Sequence, residues 1–143
     1  MFTRHIRTSI DIAAPPERVW AVLMDFPAHA AWNPFIRGIA GAARLGEELT
    51  VVLSPDGARS YVFRPRVMRL DPPGEFAWRG RLFVPGLFTG LHSFSLAAEA
   101  GGTRFTHAER FSGLLVPFLG AMLAETERGF ARMNAALKQR MEA

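Results

Sequence analysis

Two histidines and one glutamate stand where acid–base or ligand-binding chemistry could take place. His92 alternates with Phe94 on one segment, and His107 and Glu109 alternate with Phe105 on the next. Side chains two residues apart on a β-strand point to the same face, so the three polar groups face the core if the phenylalanines do. A Gly-Gly turn joins the two segments and would bring His92 opposite Glu109 or His107. Because buried ionisable groups are costly unless partnered, we expect these side chains to interact with one another or with a ligand.

Three interpretations of this cluster are open at the level of sequence. The side chains can anchor a ligand, since binding pockets combine apolar walls with a few placed polar groups. His107 or Glu109 can act as the general base of an enzyme, because a His–Glu pair exchanges protons near neutral pH. Alternatively, the histidines hydrogen-bond to Glu109 or to water, and no ligand is involved.

The sequence carries no metal or cofactor motif. The cluster has ligand types that zinc accepts, but no two of the four histidines lie on one helical turn, and there is no cysteine to supply a thiolate or a disulfide. The glycines match neither the dinucleotide-binding nor the phosphate-loop spacing, and no serine lies in a nucleophile elbow. We therefore predict no metal site and no cofactor.

The composition is that of one globular domain of ordinary size. The 143 residues are 49% hydrophobic and 21% charged, and no linker or repeat divides them, so we predict a single domain over residues 1–143. The N-terminal residues lack the apolar core of a signal peptide. No run approaches the roughly 18 apolar residues that span a bilayer. These features favour a cytoplasmic protein without stable membrane insertion.

Hydrophobic periodicity predicts an α+β protein whose order is one strand, two short helices, six strands and a long helix. The first strand alternates from Arg4 to Ile12, and Pro15-Pro16 then begins the first helix. The six later strands are predicted at 35–40, 47–53, 59–70, 75–83, 91–98 and 103–111. After Pro117, apolar residues recur every three or four positions, which predicts a long amphipathic helix able to cover the sheet. Its apolar stripe contains Leu119, Met122, Leu123, Thr126, Phe130, Met133, Leu137 and Met141.

The hairpin joined by two prolines has one register that separates its polar side chains from its apolar ones. In that register Val67 faces Trp78 and Phe63 faces Leu82, whereas a slip of one residue would mix the two faces. The opposite face then carries Arg64, Arg66, Arg79 and Arg81. We expect solvent to cover these arginines. No aromatic side chains interleave with them, as a nucleic-acid platform would need, so no nucleic-acid partner is expected.

Several short motifs lie in a family-like order along the chain. The N-terminal motifs are Ile10-Asp11-Ile12-Ala13-Ala14-Pro15, Val19-Trp20, Asp25 and Trp32-Asn33-Pro34. The C-terminal motifs are His92-Ser93-Phe94, Gly101-Gly102-Thr103-Arg104-Phe105-Thr106-His107-Ala108-Glu109 and Phe111-Ser112-Gly113. In order and spacing they resemble the START-like polyketide cyclase/dehydrase superfamily, often called SRPBCC, over essentially the whole chain.

The resemblance implies the helix-grip fold, in which a seven-stranded curved antiparallel sheet wraps around the C-terminal helix and leaves a cavity between them. Members bind lipids, hormones or polyketides, and a few catalyse aromatic cyclisation. By resemblance, Trp32 and Phe35 fall where the two short helices meet the cavity, and the loop at 83–88 falls at its mouth. Leu87 and Phe88 would form an exposed gate there, unless the loop folds back into the core.

We therefore predict that the protein binds a small hydrophobic molecule, such as a lipid, polyketide or aromatic compound, between the sheet and the last helix. One alternative is a cyclase/dehydrase- or isomerase-type enzyme that uses His107 and Glu109 as acid–base groups. Another is an interaction module that binds RNA or a membrane through its basic face. The predicted ligand-binding residues are Trp32, Phe35, Phe63, Trp78, Leu87, Phe88, His92, Phe94, Phe105, His107, Glu109, Met122 and Phe130.

Overall fold

The computed structural model describes residues 2–82 and 84–143, except for the side chain of Leu82. Phe83, which was expected at the cavity mouth, lies outside these residues. The strands are β1 (Thr3–Ile12), β2 (Ile36–Ala40), β3 (Thr50–Leu53), β4 (Tyr61–Phe63), β5 (Arg66–Asp71), β6 (Glu75–Leu82), β7 (Phe88–Glu99) and β8 (Gly102–Ser112). The α-helices are α1 (Pro16–Met24), α2 (His29–Trp32) and α3 (Gly120–Glu142), and short 3₁₀ helices span Phe26–Ala28 and Val116–Phe118. This is the predicted α+β order, with one strand more than expected.

The strands form a five-stranded antiparallel sheet in the order β1-β8-β7-β6-β5 and a three-stranded sheet in the order β2-β3-β4. The prediction of one strand over 59–70 is wrong, because the chain leaves the strand conformation at Arg64 and Pro65. Proline has no N–H for a ladder, and the Pro65 carbonyl instead accepts a hydrogen bond from the N–H of Leu49 at 2.8 Å. Backbone hydrogen bonds between Val67 and the 46–47 turn then tie the two sheets together.

The predicted register of the β5–β6 hairpin is confirmed, because Arg66 pairs with Arg79 and Val67 pairs with Trp78. The pairing does not extend to Phe63, which lies on β4 and pairs with Val51 of β3 instead. The expected outer face is present: Arg64, Arg66 and Arg81 are exposed and Arg79 is half-buried.

Helix α3 covers the inner face of the sheet with the stripe that its periodicity predicted. Phe130, Met133 and Leu137 on this stripe are fully buried. Gly129 allows the helix to approach closely, since a Cβ atom at this position would lie 2.6 Å from the ring of Phe35. No helix in the described parts of the chain is long and apolar enough to cross a membrane.

The two short helices are held by a buried histidine that serves the fold. The His29 Nε2–H donates to the Leu23 carbonyl at 2.8 Å, so its Nδ1 is the acceptor for the Asn33 amide at 3.0 Å. The Asn33 Oδ1 then accepts from the backbone N–H groups of Phe35 and Ile36, both at 2.9 Å. This arrangement fixes the turn that places Phe35 in the core.

Candidate functional site

A chain of hydrogen bonds runs through the core between the sheet and α3. The Nε2 atoms of His92 and His107 lie 2.7 Å apart, and the His107 Nδ1 lies 3.0 Å from the Asn134 Oδ1. The Asn134 Nδ2 donates to the Thr8 Oγ1 at 2.8 Å, and this hydroxyl donates to the His107 carbonyl at 2.9 Å. At the other end, the His92 Nδ1 lies 3.3 Å from the Glu109 Oε1. We call these five side chains the polar chain.

Cross-strand register and helix spacing bring the polar chain together. His92 on β7 pairs with Glu109 on β8, and His107 pairs with Thr8 on β1. All of these side chains point to the inner face, as the alternation with phenylalanine predicted. Asn134 lies one helical turn after Phe130 on the buried stripe of α3 and reaches the sheet from above. The prediction that His92 lies opposite Glu109 or His107 is confirmed, since it pairs with the first and hydrogen-bonds to the second.

The directions of these hydrogen bonds fix where the protons are. Because the Thr8 hydroxyl donates to a carbonyl, its oxygen accepts from the Asn134 amide, so the Asn134 Oδ1 must face His107. The Nδ1 of His107 therefore carries a proton, and the Nε2 of this neutral ring is an acceptor. It follows that His92 donates through Nε2, which leaves the Nδ1 of a neutral His92 as an acceptor facing Glu109.

Burial keeps both histidines uncharged. It lowers the pKa of His92 to about 3. Burial, and then the proximity of His92, hold the pKa of His107 well below its usual range. The two side chains are 1% and 0% exposed. Near neutral pH they are therefore hydrogen-bonding groups, with no charge to offer a ligand.

Glu109 is the end of the polar chain that reaches solvent. Its side chain is 15% exposed, and burial raises its pKa to about 8. Near neutral pH it is therefore protonated, and its Oε1 faces the bare Nδ1 of His92 at 3.3 Å. Gly90 makes room for the carboxyl group, because a Cβ atom at this position would lie 2.1 Å from Oε2. One proton on Oε1 thus suits the bare Nδ1 of His92 and leaves Oε2 as an acceptor.

Aromatic rings fill the centre of the predicted cavity. The ring of His107 stacks on Phe130 with centroids 3.8 Å apart, so nothing fits between them. The ring of His92 lies 5.0 Å from Trp78 and 4.8 Å from Phe94. The predicted ligand-binding residues that meet in this cluster are Phe35, Trp78, His92, Phe94, Phe105, His107 and Phe130, all of them buried.

The remaining predicted ligand-binding residues lie around this cluster. Phe88 is only 5% exposed and stacks on Phe111. Of the two interpretations of this loop, the one that folds Phe88 back into the core is therefore confirmed, and Phe88 forms no exposed gate. Leu87 and Met122 are half-buried. Trp32 lines a separate surface depression of about 580 Å³ beside the end of α3.

Beside Glu109 the inner face lacks two side chains, and we call this place the hollow. Gly80 on β6 pairs with Gly90 on β7, so two adjacent strands present no side chain there. The ring of Phe63 covers the first glycine, at 3.1 Å from where its Cβ would be, and the carboxyl group of Glu109 covers the second. Because β4, which carries Phe63, is a three-residue strand at the edge of its sheet, this ring is the least firmly held cover of the hollow.

Sequence reasoning missed three parts of this site. Asn134 follows Phe130 by four residues and precedes Leu137 by three, so helical spacing already placed it on the buried stripe. Thr8 was on the inward side of the first strand but was not connected to the histidines. The two glycines share the alternation of Trp78 and His92, which placed them on the inner face.

The described residues show no metal-binding arrangement, since no three His, Asp or Glu side chains in 2–82 and 84–143 converge on one point. The two facing Nε2 atoms lie 2.7 Å apart and are hydrogen-bonded to each other. Two nitrogens bound to one tetrahedral zinc at about 2.0 Å would be further apart than this. His92, His107 and Glu109, which are residue types that zinc accepts, therefore contact one another within the polar chain.

Comparison with known proteins agrees with this architecture. A Mesorhizobium loti protein of known structure has a TM-score of 0.77 at 19% identity, with 97% of each chain covered. The Zhui aromatase/cyclase from a Streptomyces species has a TM-score of 0.79 at 18% identity, covering 99% of this chain and 94% of that one. A START superfamily protein from Mycobacterium smegmatis has a TM-score of 0.72 at 22% identity, covering 96% and 97%.

These likenesses show the helix-grip fold. No functionally curated protein matches the sequence. The family model described as polyketide cyclase / dehydrase and lipid transport matches residues 3–142, which is nearly the whole chain. The chain therefore belongs to the polyketide cyclase/dehydrase and lipid transport family.

Proposed function

We propose that the protein binds a small hydrophobic molecule in the hollow between the sheet and α3, with Glu109 as its polar anchor. The observation that carries this proposal is the polar chain, which ends in a partly exposed carboxyl group among aromatic side chains. Pockets for small molecules combine apolar walls with few polar groups in this way. The family description, which names polyketide chemistry and lipid transport, supports a ligand of this class.

The proposed site lies beside Glu109 because aromatic rings fill the centre of the predicted cavity. The centre is occupied by rings in direct contact, such as His107 on Phe130, so a ligand there would have to separate them. Beside Glu109, Gly80 and Gly90 carry no side chains, and the ring of Phe63 covers the first of them while the carboxyl group of Glu109 covers the second. A ligand that displaces this ring would lie over the two glycines, with Trp78 as one wall.

The geometry supports binding more than acid–base catalysis by His107 or Glu109. His107 is fully buried under Phe130 and has both ring nitrogens engaged, so it reaches no substrate. Glu109 is mostly protonated below pH 8, since burial raises its pKa to about 8, so near neutral pH little of it is free to accept a proton. His92 is a poor acceptor for any proton that Glu109 would pass on, because burial lowers its pKa to about 3. An enzyme would instead need the proton to move easily along this chain.

Native mass spectrometry tests the proposal first. The protein purified from cells is weighed under native and denaturing conditions, and a mass that is lost on denaturation is identified as bound ligand. A panel of fatty acids and polycyclic aromatic compounds is then screened by thermal shift. We expect at least one compound class to raise the melting temperature.

A pair of variants locates the site. Phe63→Ala uncovers the hollow and is expected to bind the same compounds at least as tightly. Val62→Ala is the matched control, because Val62 is the neighbouring residue on β4 and is 61% exposed. If no compound co-purifies and none shifts the melting temperature of the natural protein or of Phe63→Ala, the proposal is wrong.

A further inference from the structure

We propose that the ligand presents a hydrogen-bond donor to Glu109, so that the site selects alcohols, phenols or enols over the corresponding ethers. The inference rests on the proposed binding site and names the chemistry of the group that Glu109 receives. It follows from which atom carries the proton in each contact of the polar chain.

The directions of the hydrogen bonds in the polar chain are fixed from its buried end. The Thr8 hydroxyl donates to a backbone carbonyl, which can only accept. Each later bond then has one possible direction, through Asn134 and His107 to His92. The opposite direction would need the Asn134 amide oxygen to face Thr8, whose hydroxyl already donates to the His107 carbonyl. A chain that reversed partway would place two bare Nε2 atoms, or two N–H groups, 2.7 Å apart. The Nδ1 of His92 is therefore an acceptor when the ring is neutral.

Only two positions of the proton satisfy the contact between His92 and Glu109. Either the Glu109 Oε1 carries the proton and donates to the His92 Nδ1, or the proton sits on the Nδ1 and the Oε1 of a carboxylate accepts it. In both cases Oε2 carries no proton and is an acceptor. A proton on Oε2 would require a second proton on His92 to face Oε1, which would leave a buried, uncompensated imidazolium.

In the described part of the chain, the Oε2 of Glu109 has no hydrogen-bond donor. Among residues 2–82 and 84–143, no N–H or O–H makes a hydrogen bond to the Glu109 carboxyl oxygens apart from the His92 contact. Oε2 lies against Gly90, where there is no side chain to donate. The Glu109 side chain is 15% exposed, so water reaches this carboxyl group while the site is empty. A ligand that covers it displaces that water, and an acceptor buried without a donor costs about 1–3 kcal/mol. A ligand therefore gains most by bringing a donor to this oxygen.

The experiment compares matched probes that differ in one donor. The affinities of 2-naphthol and 2-methoxynaphthalene are measured by isothermal titration calorimetry, because the two share the aromatic body and differ in the hydroxyl hydrogen. We expect 2-naphthol to bind about tenfold or more tightly, which corresponds to about 1.4 kcal/mol for one hydrogen bond.

Two variants of Glu109 separate the donor preference from general effects on the pocket. In Glu109→Gln, the amide NH₂ donates to the His92 Nδ1 and the amide oxygen takes the place of Oε2, so the preference for the hydroxyl is expected to persist. In Glu109→Met, which removes the carboxyl oxygens and keeps the volume, the methionine side chain still separates the ligand from the buried His92 Nδ1, so the two probes are expected to bind equally. Urea unfolding establishes that both variants fold.

The outcomes distinguish this inference from the proposed function. If both probes bind the natural protein equally, or if the preference persists in Glu109→Met, the site selects no donor and the inference is overturned. If neither probe binds the natural protein or Phe63→Ala, binding of small aromatic compounds in the hollow is itself refuted. A preference that is present with Glu or Gln at position 109 and absent with Met supports both.

Discussion

The protonation of Glu109 makes the stability of the fold depend on pH in an unusual direction. Burial raises the pKa of this carboxyl group from 4.5 to about 8. Between these two values the folded protein holds one proton more than the unfolded chain. The free energy of unfolding must therefore fall as the pH rises, by about 1.4 kcal/mol per pH unit.

Between about pH 6.5 and pH 8 the buried histidines oppose this effect, so a comparison with Glu109→Gln is needed to isolate it. The pKa values of His29, His92 and His107 are lowered by burial, so these groups cost stability as the pH falls toward and below their unfolded value of 6.5. Their cost fades only about one pH unit above this value, and it is the same in the natural protein and in Glu109→Gln. From pH 6.5 to pH 8 the natural protein is therefore expected to lose about 2 kcal/mol of its free energy of unfolding relative to Glu109→Gln.

The assay is urea unfolding followed by tryptophan fluorescence at a series of pH values. Glu109→Gln keeps a donor toward His92 but cannot ionise, so its stability is expected to rise slightly as the histidine cost fades, while the stability of the natural protein falls relative to it. Glu127→Gln removes the same formal charge from an exposed position on α3, and this control is expected to follow the natural protein. Parallel curves for the natural protein and Glu109→Gln would refute the reasoning. A Gln variant that is less stable at every pH would indicate a charged His92–Glu109 pair instead.

Three further substitutions test the packing around the site by urea unfolding. Gly129→Ala gains helix propensity but meets the ring of Phe35 at 2.6 Å, so we expect a loss of about 1–3 kcal/mol; Gly120→Ala has open space and is expected to be neutral or stabilising. A higher free energy of unfolding for Gly129→Ala would contradict the close approach of α3 to the ring of Phe35. Asn134→Leu leaves a buried ring N–H without an acceptor and should cost about 2–3 kcal/mol, whereas an unchanged stability would mean that the polar chain contributes nothing. Thr103→Val removes a buried 2.6 Å hydrogen bond to a carbonyl and should cost about 1–2 kcal/mol, unless water replaces the hydroxyl.

The elements with strong periodicity were predictable from the sequence. The first strand and the last helix each bury one face, and their alternation or helical stripe is unbroken, so Ile6 and Phe130 could be placed inside. The register of Val67 against Trp78 was predictable because a slip of one residue would bury arginine. The inward positions of His92, His107 and Glu109 followed from the same alternation.

Other features depend on distances that a one-dimensional pattern does not contain. Alternation continues across Pro65, so the pattern gave no reason to divide the strand there, although the missing N–H breaks the ladder. The sequence could not decide whether Phe88 is exposed or folded into the core, whereas β7 begins at this residue and its ring reaches Phe111. The state of Glu109 depends on the directions of four hydrogen bonds that start at Thr8, far away in the sequence. No local sequence motif predicts which of these atoms carry protons.

The contact between Gly90 and Glu109 has a consequence for how this family can vary. Any side chain at position 90 would occupy the space of the carboxyl group, since its Cβ would lie 2.1 Å from Oε2. The two positions are therefore free to change together but not singly: a relative with alanine or a larger residue at position 90 should carry a shorter or apolar residue at position 109. Such a relative would also need a different partner for the Nδ1 of His92, or a different residue in its place. Three positions on two strands should thus be inherited as a set, and the set marks which relatives share this polar anchor.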